Sequence, residues 1–183
     1  MNDRYSQLAS TKDVDDAIRQ MASKILQDHE ELPLFVALLR GAAPFASKLL
    51  FELVRQAPDS HPELDYMMVS TYGNGQVAGT PHIVTDLAPT TQVAGRTVVV
   101  LDDVLDKGIT ANFVFSHLKS RGATWVELAV LADKEVERTH EEITARYRAF
   151  SFGNKWLVGM GMDDAQAADE GYRWLEEIWE IRQ

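Results

Sequence analysis

Cysteine is absent from this chain of 183 residues, which removes disulfides, thiolate catalysis and cysteine-ligated zinc together. Cationic side chains are few: 18 Lys and Arg stand against 28 Asp and Glu, a formal net charge of −10. The global field therefore repels nucleic acid and anionic membrane surfaces, so an anionic substrate needs local help from backbone N–H groups, a few cations or a metal ion. No apolar run approaches the ~18 residues of a membrane span, and Met1–Gln7 is polar, without the apolar core of a signal peptide. The cytoplasm is the expected compartment. What is present is ordinary globular usage, 45 % hydrophobic and 25 % charged residues. The length suits one well-buried α/β domain with one site.

After Ser10, the expected N-cap, the apolar residues Val14, Ala17, Ile18, Met21, Ala22, Ile25 and Leu26 recur at helical spacing. Leu34–Leu39 is a continuous apolar run, suited to a central parallel strand that ends at Arg40-Gly41. A second helix is expected over about Ala42–Gln56, then a strand over Asp65–Tyr72. Gly73–Pro81 holds three glycines and no apolar periodicity, the composition of a mobile excursion or lid. His82–Asp86 returns as a strand, Gln92–Arg96 turns, and Thr97–Leu101 is the strongest strand signal in the chain. A helix from Thr110 to about Arg121 ends at Gly122, a C′ residue. Trp125–Ala132 is the next strand, Thr139–Tyr147 is polar and loosely helical, Trp156–Met160 is a short apolar run, and Gly171–Gln183 is a Trp-rich tail. Alternating strands and helices imply a parallel sheet covered on both faces, with ligands at the carboxyl ends of its strands.

At such an end stands Asp102-Asp103-Val104-Leu105-Asp106-Lys107-Gly108-Ile109-Thr110. Gly108 permits close backbone approach, and the amides from Asp106 to Thr110, with the Thr110 hydroxyl, can wrap a phosphate at a helix N-terminus. An isolated acid pair after a strand is ordinary solvated turn chemistry. Next to a phosphate loop, Asp102 and Asp103 suit the vicinal hydroxyls of a ribose, bound directly or through Mg²⁺.

The whole string resembles the phosphoribosyl pyrophosphate signature of the type I phosphoribosyltransferases. The nearest branch is that of the hypoxanthine/guanine phosphoribosyltransferases, and the likeness runs along nearly the whole chain. Leu38-Leu39-Arg40-Gly41-Ala42 is similar to the family's first pyrophosphate loop. The resemblance assigns pyrophosphate binding to Leu39, Arg40 and Gly41, with a cis peptide expected between Leu39 and Arg40. Val69-Ser70-Thr71-Tyr72-Gly73 resembles the start of the catalytic loop, with Thr71 in place of a serine and Tyr72 closing over the reacting centre. Leu131-Ala132-Asp133-Lys134 resembles the strand end whose lysine meets the purine 6-oxygen. Asn154–Asp163 resembles the base-binding segment, in which Trp156 stacks on the purine and the backbone at Lys155 and Leu157 reads its edge. Asp163 is carried over as an acid beside the base and on the Mg²⁺–pyrophosphate side, so the implied metal set is Asp102, Asp103 and Asp163. Tyr172-Arg173-Trp174-Leu175 resembles the tail motif whose arginine reaches pyrophosphate, although a stretch like Ala165–Ala168 lengthens the spacing from Asp163. A further departure is Lys107, which stands for a threonine and adds a cation to the phosphate site formed with Gly108, Ile109 and Thr110.

The resemblance implies a single phosphoribosyltransferase domain over 1–183, with a core over about 10–135 and a small hood from 150–183 and the N-terminal residues. It also implies Mg²⁺ as cofactor, phosphoribosyl pyrophosphate and a 6-oxopurine as ligands, and a homodimer or homotetramer. In that scheme Asp106 exchanges a proton with the purine N7, Lys134 stabilises charge on the 6-oxygen, and Tyr72 excludes water. Two alternatives stay open: a regulator that keeps the phosphoribosyl pyrophosphate site without turnover, and a transferase for xanthine or another base.

Overall fold

Ser10 starts the first helix as its side chain and that of Asp13 cap one another's backbone amides, a capping box. In the computed structural model, which describes residues 3–72 and 78–182 apart from the side chains of residues 72, 78 and 79, this helix follows a short strand. The elements are β1 (Tyr5–Ala9), α1 (Thr11–Asp28), β2 (Leu34–Leu39), α2 (Ala43–Gln56), β3 (Glu63–Tyr72), β4 (Ala78–Thr85), β5 (Thr97–Leu105), α3 (Ile109–Ser120), β6 (Trp125–Lys134), β7 (Tyr147–Phe152), β8 (Trp156–Val158) and β9 (Ile178–Ile181). Among the described residues no helix is long and apolar enough to cross a membrane.

Six strands form the main sheet in the order β4-β3-β2-β5-β6-β7. All neighbours are parallel except the edge pair β3 and β4. Alternation along the central strands sorts two cores. Phe35, Ala37, Val99, Leu101, Ala129 and Leu131 pack with α1 and α2 on one face, while Leu34, Val36, Val98, Val100, Leu128 and Val130 pack with α3 on the other. Val98, Val99, Val100 and Leu101 are each 0 % exposed, and at roughly 1.5–3 kcal/mol per buried aliphatic side chain β5 is fixed firmly at the sheet centre. The residues that follow Leu101 inherit that rigidity.

A second, three-stranded antiparallel sheet, β1-β9-β8, joins the two ends of the chain. Three sequence expectations are corrected. Thr139–Tyr147 contains no helix: it is a turn-rich connection whose last residue opens the edge strand β7. Ala78–Pro81, read as part of an excursion, belongs to β4, because the edge of β3 offers it a ladder of hydrogen bonds. Finally, β5 runs on through Asp102 to Leu105, since its ladder with β6 continues from Asp102↔Val130 to Leu105↔Asp133. The acid pair is thus within the strand and not in a turn after it.

Candidate active site

The carboxyl ends of β2, β3, β5 and β6 meet at one edge of the sheet, and a cavity of about 650 Å³ opens there. Its walls bring together Leu39 at the end of β2 and Gly41 after it, Thr71 of β3, Asp102, Asp103 and Asp106 of β5 and its end, Lys107 to Thr110, and Asp163 with Arg173 from the hood side. Tyr72 ends β3, but its side chain and residues 73–77 of the expected lid lie outside the described residues. The peptide bond between Leu39 and Arg40 is cis, as the resemblance implies.

Alternation places Asp103 on the α1/α2 side of the sheet, where its carboxylate lies over Gly41: a Cβ on Gly41 would come within 2.1 Å of Oδ2. Any larger residue there would displace the acid. The Asp103 amide donates to Asp102 Oδ1 at 3.0 Å, and the Val104 amide donates to Asp103 Oδ1 at 2.8 Å. Burial, and then the neighbouring Asp103 charge, push the Asp102 carboxyl well above the usual carboxylate range. Burial also raises Asp103, against opposing hydrogen bonds and the Arg173 charge.

Beyond Leu105 the chain turns at Gly108, whose left-handed backbone (φ 76°) opens α3 with no side-chain cap on the first turn. Among the described residues no side chain caps its N-terminal amides, which border the cavity and suit an anion. Lys107 is exposed, and its carbonyl accepts from the Thr139 amide at 3.1 Å, tying the loop to the 139–143 segment behind it.

Lys134 ends β6 beside the end of β5 and is only 8 % exposed. Its ammonium donates to Asp106 Oδ2 at 3.0 Å and lies 5.5 Å from the centre of the Trp156 ring. Trp156 itself is 63 % exposed, an indole face open to a flat ligand. Leu157 is buried in β8, whereas the Lys155 side chain ion-pairs with Glu180 and its amide donates to Gly153 at 2.7 Å. Any reading of a ligand edge by Lys155 therefore falls to its carbonyl.

Despite the longer spacing, Arg173 reaches the cavity, where it pairs with Asp163 at 3.0 Å. The intervening stretch closes on itself: the Asp164 amide donates to Gly171 at 2.9 Å, and buried Asp164 accepts from the Tyr5 hydroxyl at 2.8 Å. Two residues on this side escaped the sequence reading. Glu170 accepts from both Arg40 and Arg173, and the Gly161 carbonyl accepts from Arg173. The i,i+3 spacing of Glu170 and Arg173 was a usable signal, but Gly161 carried none. A Cβ on Gly161 would fall 1.7 Å from the Gly41 carbonyl oxygen, so the hood segment rests directly on the loop after β2.

The model of the phosphoribosyl transferase domain family matches residues 4–165. The chain belongs to that family. Among curated relatives of this phosphoribosyl transferase domain, the bifunctional protein TilS/HprT of Listeria monocytogenes is 36 % identical over 167 residues, which cover 90 % of the chain and 24 % of that protein. The chain thus spans about a quarter of the length of the bifunctional relatives it matches. The hypoxanthine-guanine phosphoribosyltransferase of Streptococcus thermophilus is 32 % identical over 178 residues, covering 96 % of the chain and 92 % of that protein. A crystal structure of a hypoxanthine phosphoribosyltransferase from Staphylococcus aureus matches with a TM-score of 0.83 at 27 % identity, over 97 % of this chain and 91 % of that one. A hypoxanthine-guanine-xanthine phosphoribosyltransferase matches with a TM-score of 0.82 at 26 % identity over 100 % of both chains. The mostly parallel sheet flanked by helices is that of these neighbours.

Proposed function

We propose that the chain is a purine-salvage enzyme of the cytoplasm that transfers 5-phosphoribosyl from phosphoribosyl pyrophosphate to hypoxanthine or guanine. The observation that carries this reading is the convergence, at one sheet edge, of two unlike subsites joined by Asp106. One is anionic-ligand chemistry, the open amides of α3 beside the Asp102–Asp103 pair. The other is flat-ligand chemistry, the exposed Trp156 face beside the buried Lys134 ammonium. The names of the relatives support the same pairing of substrates.

In the reaction the purine N9 forms a bond to the anomeric carbon as the bond from that carbon to the pyrophosphate oxygen breaks. Asp106, positioned by the hydrogen bond it receives from Lys134, accepts the proton lost from N7. Lys134 also donates to the 6-oxygen, which selects a 6-oxopurine over a base with an amino group there. Trp156 holds the ring by stacking, Asp102 and Asp103 orient the ribose hydroxyls, and Lys107 to Thr110 hold the 5-phosphate. Leu39, Arg40, Gly41, Thr71 and Arg173 bind the pyrophosphate, and Tyr72 excludes water.

The acids suit a magnesium ion. Among the described residues no three or more His, Cys, Asp or Glu gather into a cage, yet a magnesium ion carried by phosphates needs only one or two protein carboxylates. Asp102 and Asp103, both in the cavity wall, provide them. Asp102 and Asp103 would hold such an ion, with Asp163 on its pyrophosphate side, and the ion would neutralise the leaving group. Assembly as a homodimer or homotetramer belongs to the same proposal. The test is a panel of free bases with Mg²⁺ and phosphoribosyl pyrophosphate, following pyrophosphate release. Release with hypoxanthine or guanine is expected. Silence with every base overturns the reading in favour of a regulator, and release with xanthine alone overturns the choice of base.

A further inference from the structure

Arg173 meets the cavity with its charge already committed. Nε donates to Glu170, one terminal nitrogen donates to the Gly161 carbonyl, and the other pairs with Asp163 at 3.0 Å. Each of its three nitrogens thus faces a protein oxygen, two of them from carboxylates. Arg40, on the loop after β2, gives its terminal nitrogen to the other oxygen of the same Glu170 carboxylate. One acid therefore spans the two arginines of the site, from a turn in which its own backbone is left-handed (φ 60°). The guanidinium groups of Arg40 and Arg173 draw its carboxyl below the usual range, so it stays ionised at neutral pH.

Two guanidinium groups bridged by one bidentate carboxylate have the geometry with which they would bridge a phosphate. We propose that Glu170 is an internal counter-ion occupying the pyrophosphate place on Arg40 and Arg173, which an incoming pyrophosphate group must displace and which recaptures both arginines when pyrophosphate leaves. This rests on the functional reading above, which assigns those arginines to pyrophosphate. Glu170 is a positioning residue that acts through Arg40 and Arg173 and sets how tightly the product is held. The consequence is weaker ground-state binding of pyrophosphate without a change at the base subsite, where Lys134, Asp106 and Trp156 make none of these contacts.

The experiment compares wild type with Glu170→Gln. Glutamine keeps the length and one acceptor oxygen but removes the charge. A second variant, Glu170→Asn, covers a folding failure of the first, because Asn tolerates the left-handed backbone well. Binding of pyrophosphate with Mg²⁺ is measured by calorimetry across a salt series, alongside steady-state kinetics for both substrates. Pyrophosphate should bind roughly tenfold more tightly to either variant, as expected for one unopposed charge on partly exposed partners, with a steeper salt dependence. The KM for phosphoribosyl pyrophosphate should fall in parallel and the KM for the base should not move. A purely structural role, holding the arginines in place, predicts the reverse sign, weaker pyrophosphate binding. Unchanged or weaker binding by the folded variant overturns the proposal. If wild type binds pyrophosphate but turns over no base, the functional reading fails and the counter-ion inference is still decided by the calorimetry.

Discussion

Replacing Gly161 with alanine tests the contact on which the cavity depends. The new Cβ would lie 1.7 Å from the Gly41 carbonyl oxygen, whereas carbon and oxygen ordinarily approach to about 3.3 Å, so one backbone must retreat by roughly 1.5 Å. No side chain can absorb that movement, because the obstacle is main chain. The residue also sits at φ 108°, outside the favoured regions of an L side chain, at a cost of about 1–2 kcal/mol; overpacking adds about 1–3 kcal/mol. The sum, about 2–5 kcal/mol, corresponds to a fall in Tm of roughly 4–20 °C for a chain of this size. The same retreat moves the Gly161 carbonyl that receives Arg173 and the loop after β2, and a shift of that order costs on the order of 10²-fold in reaction rate. Gly95→Ala is the comparator, since Gly95 has φ 79° and nothing within 4 Å of its added Cβ. It should show the backbone cost alone, with unchanged kinetics. Calorimetric Tm and kcat/KM for phosphoribosyl pyrophosphate read both effects. If Gly161→Ala is no more costly than Gly95→Ala and keeps wild-type kinetics, the apposition of these two segments is refuted.

Other expectations concern charge. Asp106→Asn should bind both substrates nearly as wild type and lose at least ~10²-fold in kcat, and unchanged turnover removes Asp106 as the base. Asp102→Asn should raise the Tm of the ligand-free protein at pH 7–8 while reducing activity, because burial and Asp103 raise the folded-state pKa of Asp102. A raised carboxyl favours the folded state when protonated, so this gain should shrink as pH falls through the folded pKa towards the unfolded value; a Tm difference independent of pH contradicts it. Asp28 has the opposite sign: hydrogen bonds from Arg146 and Tyr147 lower its pKa. Its stabilisation is present above the unfolded pKa and lost as pH falls through the folded one. The Tm of Asp28→Asn should therefore lie below that of wild type at pH 7 and meet it in acid.

The sequence made legible those parts of the molecule whose cause is local. The Ser10 cap, the all-apolar β2, and the glycine that opens α3 each carry their reason within a few residues. Lys134 and Asp106 could be matched to a motif, but their mutual hydrogen bond comes from the parallel pairing of β5 with β6. β7 was hidden because it is an edge strand with Arg148 and Ser151 exposed, so its pattern resembles a polar connection. β1 and β9 are short and find their partners only across the length of the chain. Glu170 was hidden for the same reason: its meaning depends on Arg40, 130 residues away.

The pairing of Tyr5 with Ile181 also sets an order of assembly. During vectorial synthesis the central strands and both helical layers can close as soon as β7 is made. The sheet that holds Trp156 against Lys134 must wait for residues 178–181, which complete the ladder between β1 and β8. A nascent chain therefore completes the Asp102–Thr110 edge before the sheet that carries Trp156, and a shortened chain that retains the first would lack the second.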